Sequence, residues 1–386
     1  MGYSVKDLVS RSVEWTATTL KSDDDHPKMP KLSAWAVFLV LVTVFGFMIL
    51  FAAIQYSIGA VVGTLTIIES PQPDAYVAVD SLPPADGRDD GTPKPTSDEA
   101  AADPEVLLLK NSAITTSIRR TINFLRSRYG YLSSFRGVSL FVCLTFARMF
   151  IIQFFGIPSF MNNWAGFAVA SVLADMILAR WHMTWIHIVI SEPSTKRWWR
   201  RAPPFSTWTK IAPAMAVYSL ATQFAKILPV AAGMSFGVFK RMKHPEFDPH
   251  NGEVKAAFGQ SLFIFFLIIA LAVLVQLPAS VILIRVAASM LPEENETVVP
   301  FDRSFGGKVT PTIIGGQGKV GIVEAWTSFD WAARTRVLKL AVKIVAIMMA
   351  LWVFFALVLV GEAHLVIGSE NIKKMLQAVS DYLNQK

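Results

Sequence analysis

Charge, cysteine and paired catalytic side chains are all scarce in this chain. Only 17% of the 386 residues are charged while 53% are hydrophobic, and mean hydropathy is +0.44. A water-facing surface on a domain of this length needs far more charge, so the chain is read as an integral membrane protein with the lipid bilayer as its first partner. One cysteine, Cys143, lies inside an apolar run; it excludes an internal disulfide and reads as a small buried side chain. No nucleophile with a neighbouring base and no carboxylate pair shares a span, so no enzyme is expected. His182 and His187, five residues apart, point to different sides of a helix and have no carboxylate or thiolate at ligand spacing, which leaves metal binding and cofactors out of the reading.

Other absences narrow the class further. Asp7, Glu14 and Asp23 to Asp25 precede the first apolar run, where a secretory signal would be basic and a cleavable presequence would avoid acids, so an organellar address would be internal. The net charge of +7 does not gather into a groove-sized patch with interleaved aromatics; Lys and Arg flank the apolar runs, as topology and anionic headgroups require, and nucleic acid is excluded. The glycine-rich Ile314 to Lys319 follows no strand and lacks a hydroxyl residue after its lysine, so it reads as a turn and not a phosphate cradle. Asn295-Glu296-Thr297 is a glycosylation sequon on a face expected to point inward.

What is present is apolar length. About 20 residues cross a bilayer, and Leu32 to Ile68 holds 37 residues without a charge, enough for one long, tilted and bent helix. Further spans are read at Val138 to Ile157, Trp164 to Ile190, Lys210 to Val238, Ala256 to Ile284 with a kink at Pro278, and Val337 to Val360. Six crossings put both termini on one side, and the connections 69–137, 191–209 and 285–336 on a single face. In the first of these, Ile114, Ile118, Ile122 and Leu125 recur at helical spacing beside Arg119, Arg120, Arg126 and Arg128, the pattern of a helix lying in the interface. Residues 71–105, with seven prolines and nine acids, read as a disordered insertion and as the surface for any protein partner. Basic clusters that include Arg136, Lys196, Arg197, Arg200 and Arg201 assign this face to the matrix or cytosol.

An internal repeat organises these spans. Leu277 to Arg285 overlays Val172 to Arg180, with Pro278 opposite Leu173, Ser280 opposite Asp175 and Arg285 opposite Arg180; Trp208-Thr209 and Trp326-Thr327 precede the return helices. Gly130 to Gly137 occupies the corresponding place in the first third. On these residues the chain resembles the mitochondrial carrier family, whose odd helices end in P-x-[DE]-x-x-[KR]-x-[KR] and are followed downstream by an aromatic-[KR]-G. Lys210 to Pro213 with Tyr218 resembles the opening of a family even helix. The resemblance spans about residues 34–365 and implies an all-α membrane fold of six transmembrane helices in three two-helix repeats, with short surface helices on one face. The chain then divides into a polar tail (1–33), repeat 1 with the acidic insertion (34–158), repeat 2 (159–238), repeat 3 (239–365) and a C-terminal tail (366–386).

The departures from the family pattern bear on function. A salt-bridge gate takes one acid and one base from each odd helix. Here Asp175 is the one acid in place, while Leu178 and Leu283 stand where bases belong. Charged and amide side chains inside spans imply a polar cavity or a partner, and Arg148, Gln153, Gln223 and Lys226 are the candidates to line a cavity for a small anionic solute. Asp175 with Arg180, and Pro278 with Arg285, read as structural motif residues, the first two as an ion pair. The expected function is solute transport across an organelle membrane, mitochondrial by resemblance; the alternative is a non-transporting adaptor, receptor or insertase of the mitochondrial outer membrane.

Overall fold

In a bilayer the backbone has no partner but itself, which makes helices the expected elements of apolar runs this long. The computed structural model describes residues 34–70, 75–78, 106–109, 113–156, 164–238, 253–310, 315–316 and 318–367. The first long helix, α1, runs over Ala34–Ile68 as one element, as the uncharged run predicts, with a π-helical stretch at Gln55–Val62 between two α-helical parts. A short antiparallel strand pair follows, β1 (Ala75–Ala78) with β2 (Val106–Leu109), Ala75 opposite Leu109. Residues 75–78 belong to the stretch expected to be disordered and are instead extended and paired; 79–105 lies outside the described residues.

The surface helix α2 is Ile118–Tyr129. Ser117 caps it by accepting the Arg120 N–H at 3.2 Å, satisfying one of the free amides of the first turn. Its amphipathic reading holds: Thr121 and Leu125 are buried while Arg119, Arg120, Arg126 and Arg128 are exposed. The remaining helices are α3 (Val138–Gly156), α4 (Trp164–Ile190), α5 (Trp208–Ser235), α6 (Glu253–Leu271, a π-helical stretch at Ala272–Gln276, then Leu277–Ser289), α7 (Ile322–Thr327) and α8 (Trp331–Ile367). The expected distortion at Pro278 takes the form of that widened turn. Its ring would collide with the carbonyl of Leu274, four residues back, and the π stretch contains that carbonyl.

Among the described residues five helices are long and apolar enough to cross a membrane: Ala34–Ile68, Tyr131–Phe154, Phe205–Ser235, Ala256–Ser289 and Trp331–Val366. α4, read from sequence as a sixth span, has 27 residues and the predicted ends but is not among these five. α4 packs against α3 and α5 and also touches α6 and the last turn of α1; Ser171, Thr184 and His187 on it are buried, while Phe167, Leu173 and Ile177 are exposed.

The described residues fall into two compact units. One comprises Ala34 to Phe47 with Phe354 onward, where Phe47 meets Phe354 and Phe355 with ring centroids 5.7 and 4.6 Å apart and the Thr43 hydroxyl donates to Glu362. The other runs from Met48 to Val353 and holds the main core of Leu65, Met183, Ile186, Ile211, Leu283 and their neighbours. The division falls within α1 and α8.

In the larger unit the connections after α1, α4 and α6 meet, as expected for connections on a common face. The Glu192 N–H donates to the Glu296 carbonyl at 2.9 Å, the Val298 N–H to the Ile190 carbonyl at 3.0 Å, and the Ser70 N–H to the Pro300 carbonyl at 3.0 Å. The overlay of Arg180 on Arg285 does not survive in the helices: Arg180 stands ten residues before the end of α4 at Ile190, Arg285 four before the end of α6 at Ser289.

Glu69, immediately after α1, is the most heavily bonded carboxylate of this face. It is 3% exposed and accepts from the Ile114 and Thr115 amides at 2.6 and 2.9 Å and from the Thr115 hydroxyl. Arg336 of α8 approaches its carboxylate at 3.7 Å and donates to its backbone carbonyl at 3.0 Å. Glu69→Ala strands a nearly buried guanidinium and two amides, and is expected to cost about 3 kcal/mol. Thermal unfolding of the detergent-purified chain measures this; a loss under about 1 kcal/mol would show that the clamp is dispensable.

The loop after α6 is organised by Asp302, whose carboxylate accepts from the Ser304 hydroxyl and amide at 2.7 and 2.9 Å and from the Gly306 amide at 2.7 Å. The Ser304 hydroxyl bond is the main reason its pKa lies below the usual carboxylate range. A depressed folded pKa means stabilisation present above the unfolded value and lost as pH falls through the folded one. Amide exchange at Ser304 and Gly306, corrected for intrinsic rate, is therefore expected to accelerate at acid pH and to be fast at neutral pH in Asp302→Asn.

Candidate functional site

Arg148 on α3 faces Asp175 on α4, and that pairing is the centre of the site. The Arg148 Nε donates to one carboxylate oxygen at 2.6 Å and its Nη2 to the other at 3.4 Å; Ser219 of α5 donates to the second oxygen at 2.5 Å. Three helices thus converge on one carboxylate whose side chain is 15% exposed, against 31% for the arginine. A forked approach of this kind fixes geometry as well as charge.

A cavity of about 190 Å³ opens beside the pair, between α3, α4 and α5. Arg148, Asp175 and Lys226 supply its charges, and Thr145, Thr222, Tyr218 and His182 its other polar groups. Phe141, Leu144, Leu178 and Met215 form the apolar wall. Among the described residues Lys226 makes no hydrogen bond or ion pair, and it is exposed at the cavity. Two cations against one carboxylate leave the cavity with a net charge of +1. The cavity therefore combines an apolar wall with a net positive rim.

Of the four residues read from sequence as cavity-lining, Arg148 and Lys226 stand in this cavity. Gln153 and Gln223 do not. Gln153 is exposed on α3, and Gln223 is 4% exposed within the bundle, with its amide nitrogen finding no partner among the described residues. The expected Asp175–Arg180 ion pair is corrected as well. Asp175 turns to Arg148, and Arg180 donates its Nε to the Pro203 carbonyl at 2.8 Å with its guanidinium over Trp181 and Phe205, at 5.1 and 5.9 Å from the ring centroids. Arg285 donates to the Ser328 hydroxyl at 2.9 Å and sits between Phe305 and Phe329, at 4.6 and 5.2 Å, a structural role consistent with its reading as a motif residue.

The sequence reading passed over Ser219, Tyr218 and Met215, which complete the site from α5. The signal was available in part: Met215, Tyr218, Ser219, Thr222 and Lys226 follow three- and four-residue steps along one side of α5. His187 and Trp185 are inter-helix contacts, His187 Nε2 with the Ala287 carbonyl at 2.8 Å and the Trp185 indole N–H to the Tyr56 hydroxyl at 3.2 Å. Among the described residues no three His, Cys, Asp or Glu side chains are grouped to hold a metal ion.

Comparisons with known proteins return nothing: no family model, curated protein or solved structure matches the chain.

The two partners of the ion pair are not equivalent. Removing Arg148 leaves a more enclosed carboxylate with Ser219 alone, whereas removing Asp175 leaves a guanidinium on a long stem that can reach the cavity opening. Arg148→Ala is expected to lower the unfolding temperature more than Asp175→Ala, and Ser219→Ala to cost about 1 kcal/mol. The reverse order of the first two in parallel melts would overturn this account.

Proposed function

We propose that this chain is an integral membrane transporter for a small anionic solute, with the cavity around Arg148, Asp175 and Lys226 as the point where the solute is held. The observation that carries the reading is Lys226, an ammonium without a hydrogen-bonded partner among the described residues, facing an arginine–aspartate pair inside a bundle of apolar helices. A cation facing a cavity between apolar helices is costly to keep unless it meets an anion there. Polar groups contributed by several helices at one depth are how membrane bundles build solute sites.

The carrier resemblance is kept as part of the proposal, and with it an organellar, mitochondrial location. Its support is architectural: the final parts of α1, α4 and α6 touch one another, and their connections meet on a common face. A second reading, a non-transporting adaptor or insertase on the same plan, draws on the contact between those final parts. It is made by apolar side chains such as Leu65, Ile186 and Leu283, where a gating carrier would have alternating acids and bases.

Reconstituted into vesicles, the chain is expected to drive uptake of small organic anions, and Lys226→Ala and Arg148→Ala are each expected to lower the initial rate at least about tenfold, the cost of losing one charge-assisted contact. Lys226→Ala is the cleaner variant, because Lys226 has no structural partner among the described residues. Uptake that is unchanged in Lys226→Ala would refute the transport assignment. Deleting residues 79–105 is expected to leave uptake intact, and loss of a co-purifying protein in that deletion would favour the adaptor.

A further inference from the structure

We infer that the cavity selects a singly charged organic anion carrying a ring-sized apolar body, and that Asp175 determines this by rejecting a second negative charge. The inference rests on the solute-binding reading above and narrows it to a substrate class.

Charge comes first. Arg148 commits its Nε and Nη2 to Asp175, while its Nη1 and the Lys226 ammonium have no partner among the described residues. Both residues line the cavity. With one carboxylate already present, the fixed charge of the cavity is +1, and one incoming carboxylate brings it to zero. A dianion would leave the cavity negative and oppose Asp175 directly; a cation would raise it to +2. In surroundings of low dielectric, unbalanced charge is strongly penalised.

Shape comes second. A cavity of about 150 Å³ lined by aliphatic and aromatic side chains holds one benzene. At about 190 Å³ this one takes such a ring together with a carboxylate. Phe141, Leu144, Leu178 and Met215 provide the apolar wall for the ring, and the two free cationic donors fix where the carboxylate must lie. His182 is packed by its ring against Trp185 and Tyr218, at 5.6 and 6.2 Å between centroids, and contributes ring surface. Asp175 is not required to touch the solute. It acts by holding Arg148 in place and by setting the charge balance, which makes it a specificity determinant.

The test uses the full chain purified in detergent and calorimetric titration with four probes of similar size: benzoate, benzamide, fumarate and benzylammonium. Benzoate is expected to bind at least about tenfold more tightly than any of the others. Asp175→Asn raises the fixed charge by one and is expected to move the preference to fumarate, a reversal that a merely structural role for Asp175 would not produce. Lys226→Gln lowers the charge to zero and is expected to favour neutral benzamide over benzoate; Lys226 has no structural partner among the described residues, so this arm remains decisive if Asp175→Asn fails to fold. Fumarate binding as tightly as benzoate to the unaltered chain, no binding of any probe, or an unchanged order in Lys226→Gln would each overturn the inference. Selective benzoate binding without benzoate uptake into vesicles would support the charge selection and defeat the transport reading instead, so the two fail separately.

Discussion

The structure depends on how the polar side chains of α4 are satisfied inside an apolar bundle. They reach out in different directions to the neighbouring helices. Asp175 binds Arg148 of α3 and Ser219 of α5, Trp185 binds the Tyr56 hydroxyl of α1, and His187 meets the Ala287 carbonyl of α6. Each contact orients a helix that dispersion alone would leave free to rotate, because lipid tails compete equally well for an apolar face. Polar content that looks like a defect in a hydropathy profile is here what specifies the arrangement.

The same reasoning explains where the cavity lies. α3, α4 and α5 come together over a charged pair, and side chains that surround a salt bridge cannot close over it as tightly as aliphatic groups interlock. The pair therefore sits beside a space, and the space inherits the net charge of whatever lines it. Lys226 completes that lining from α5 without being tied to the pair.

Much of this was legible in the residues, and what was not has a physical cause. Helix ends at Trp164 and Ile190 followed from the polar links that flank the run, and the amphipathic α2 followed from its periodicity. Arg148 and Asp175 were both singled out but never joined, because joining them requires the relative depth of two helices, and one-dimensional spacing carries no depth. Asp175 was assigned to Arg180 for the opposite reason: nearness along the chain was taken for nearness in space. The overlay of the second and third repeats failed on the same point, as residues matched by motif lie at unequal distances from their helix ends. Glu69 was missed because composition marks the first charge after an apolar run as a boundary, whereas in the folded chain it is a binding point. The strand pair at Ala75 and Val106 was hidden by the acidic, proline-rich stretch it brackets.

The clamp between Glu69 and Arg336 also has a bearing on biosynthesis. These partners are 267 positions apart in the chain, so α1 is released from the ribosome long before the guanidinium that completes its inner end exists. Until then the Glu69 carboxylate is held by the Ile114 and Thr115 donors alone, 45 and 46 positions downstream. The order of synthesis thus supplies the local half of this clamp first and its ion pair with α8 last.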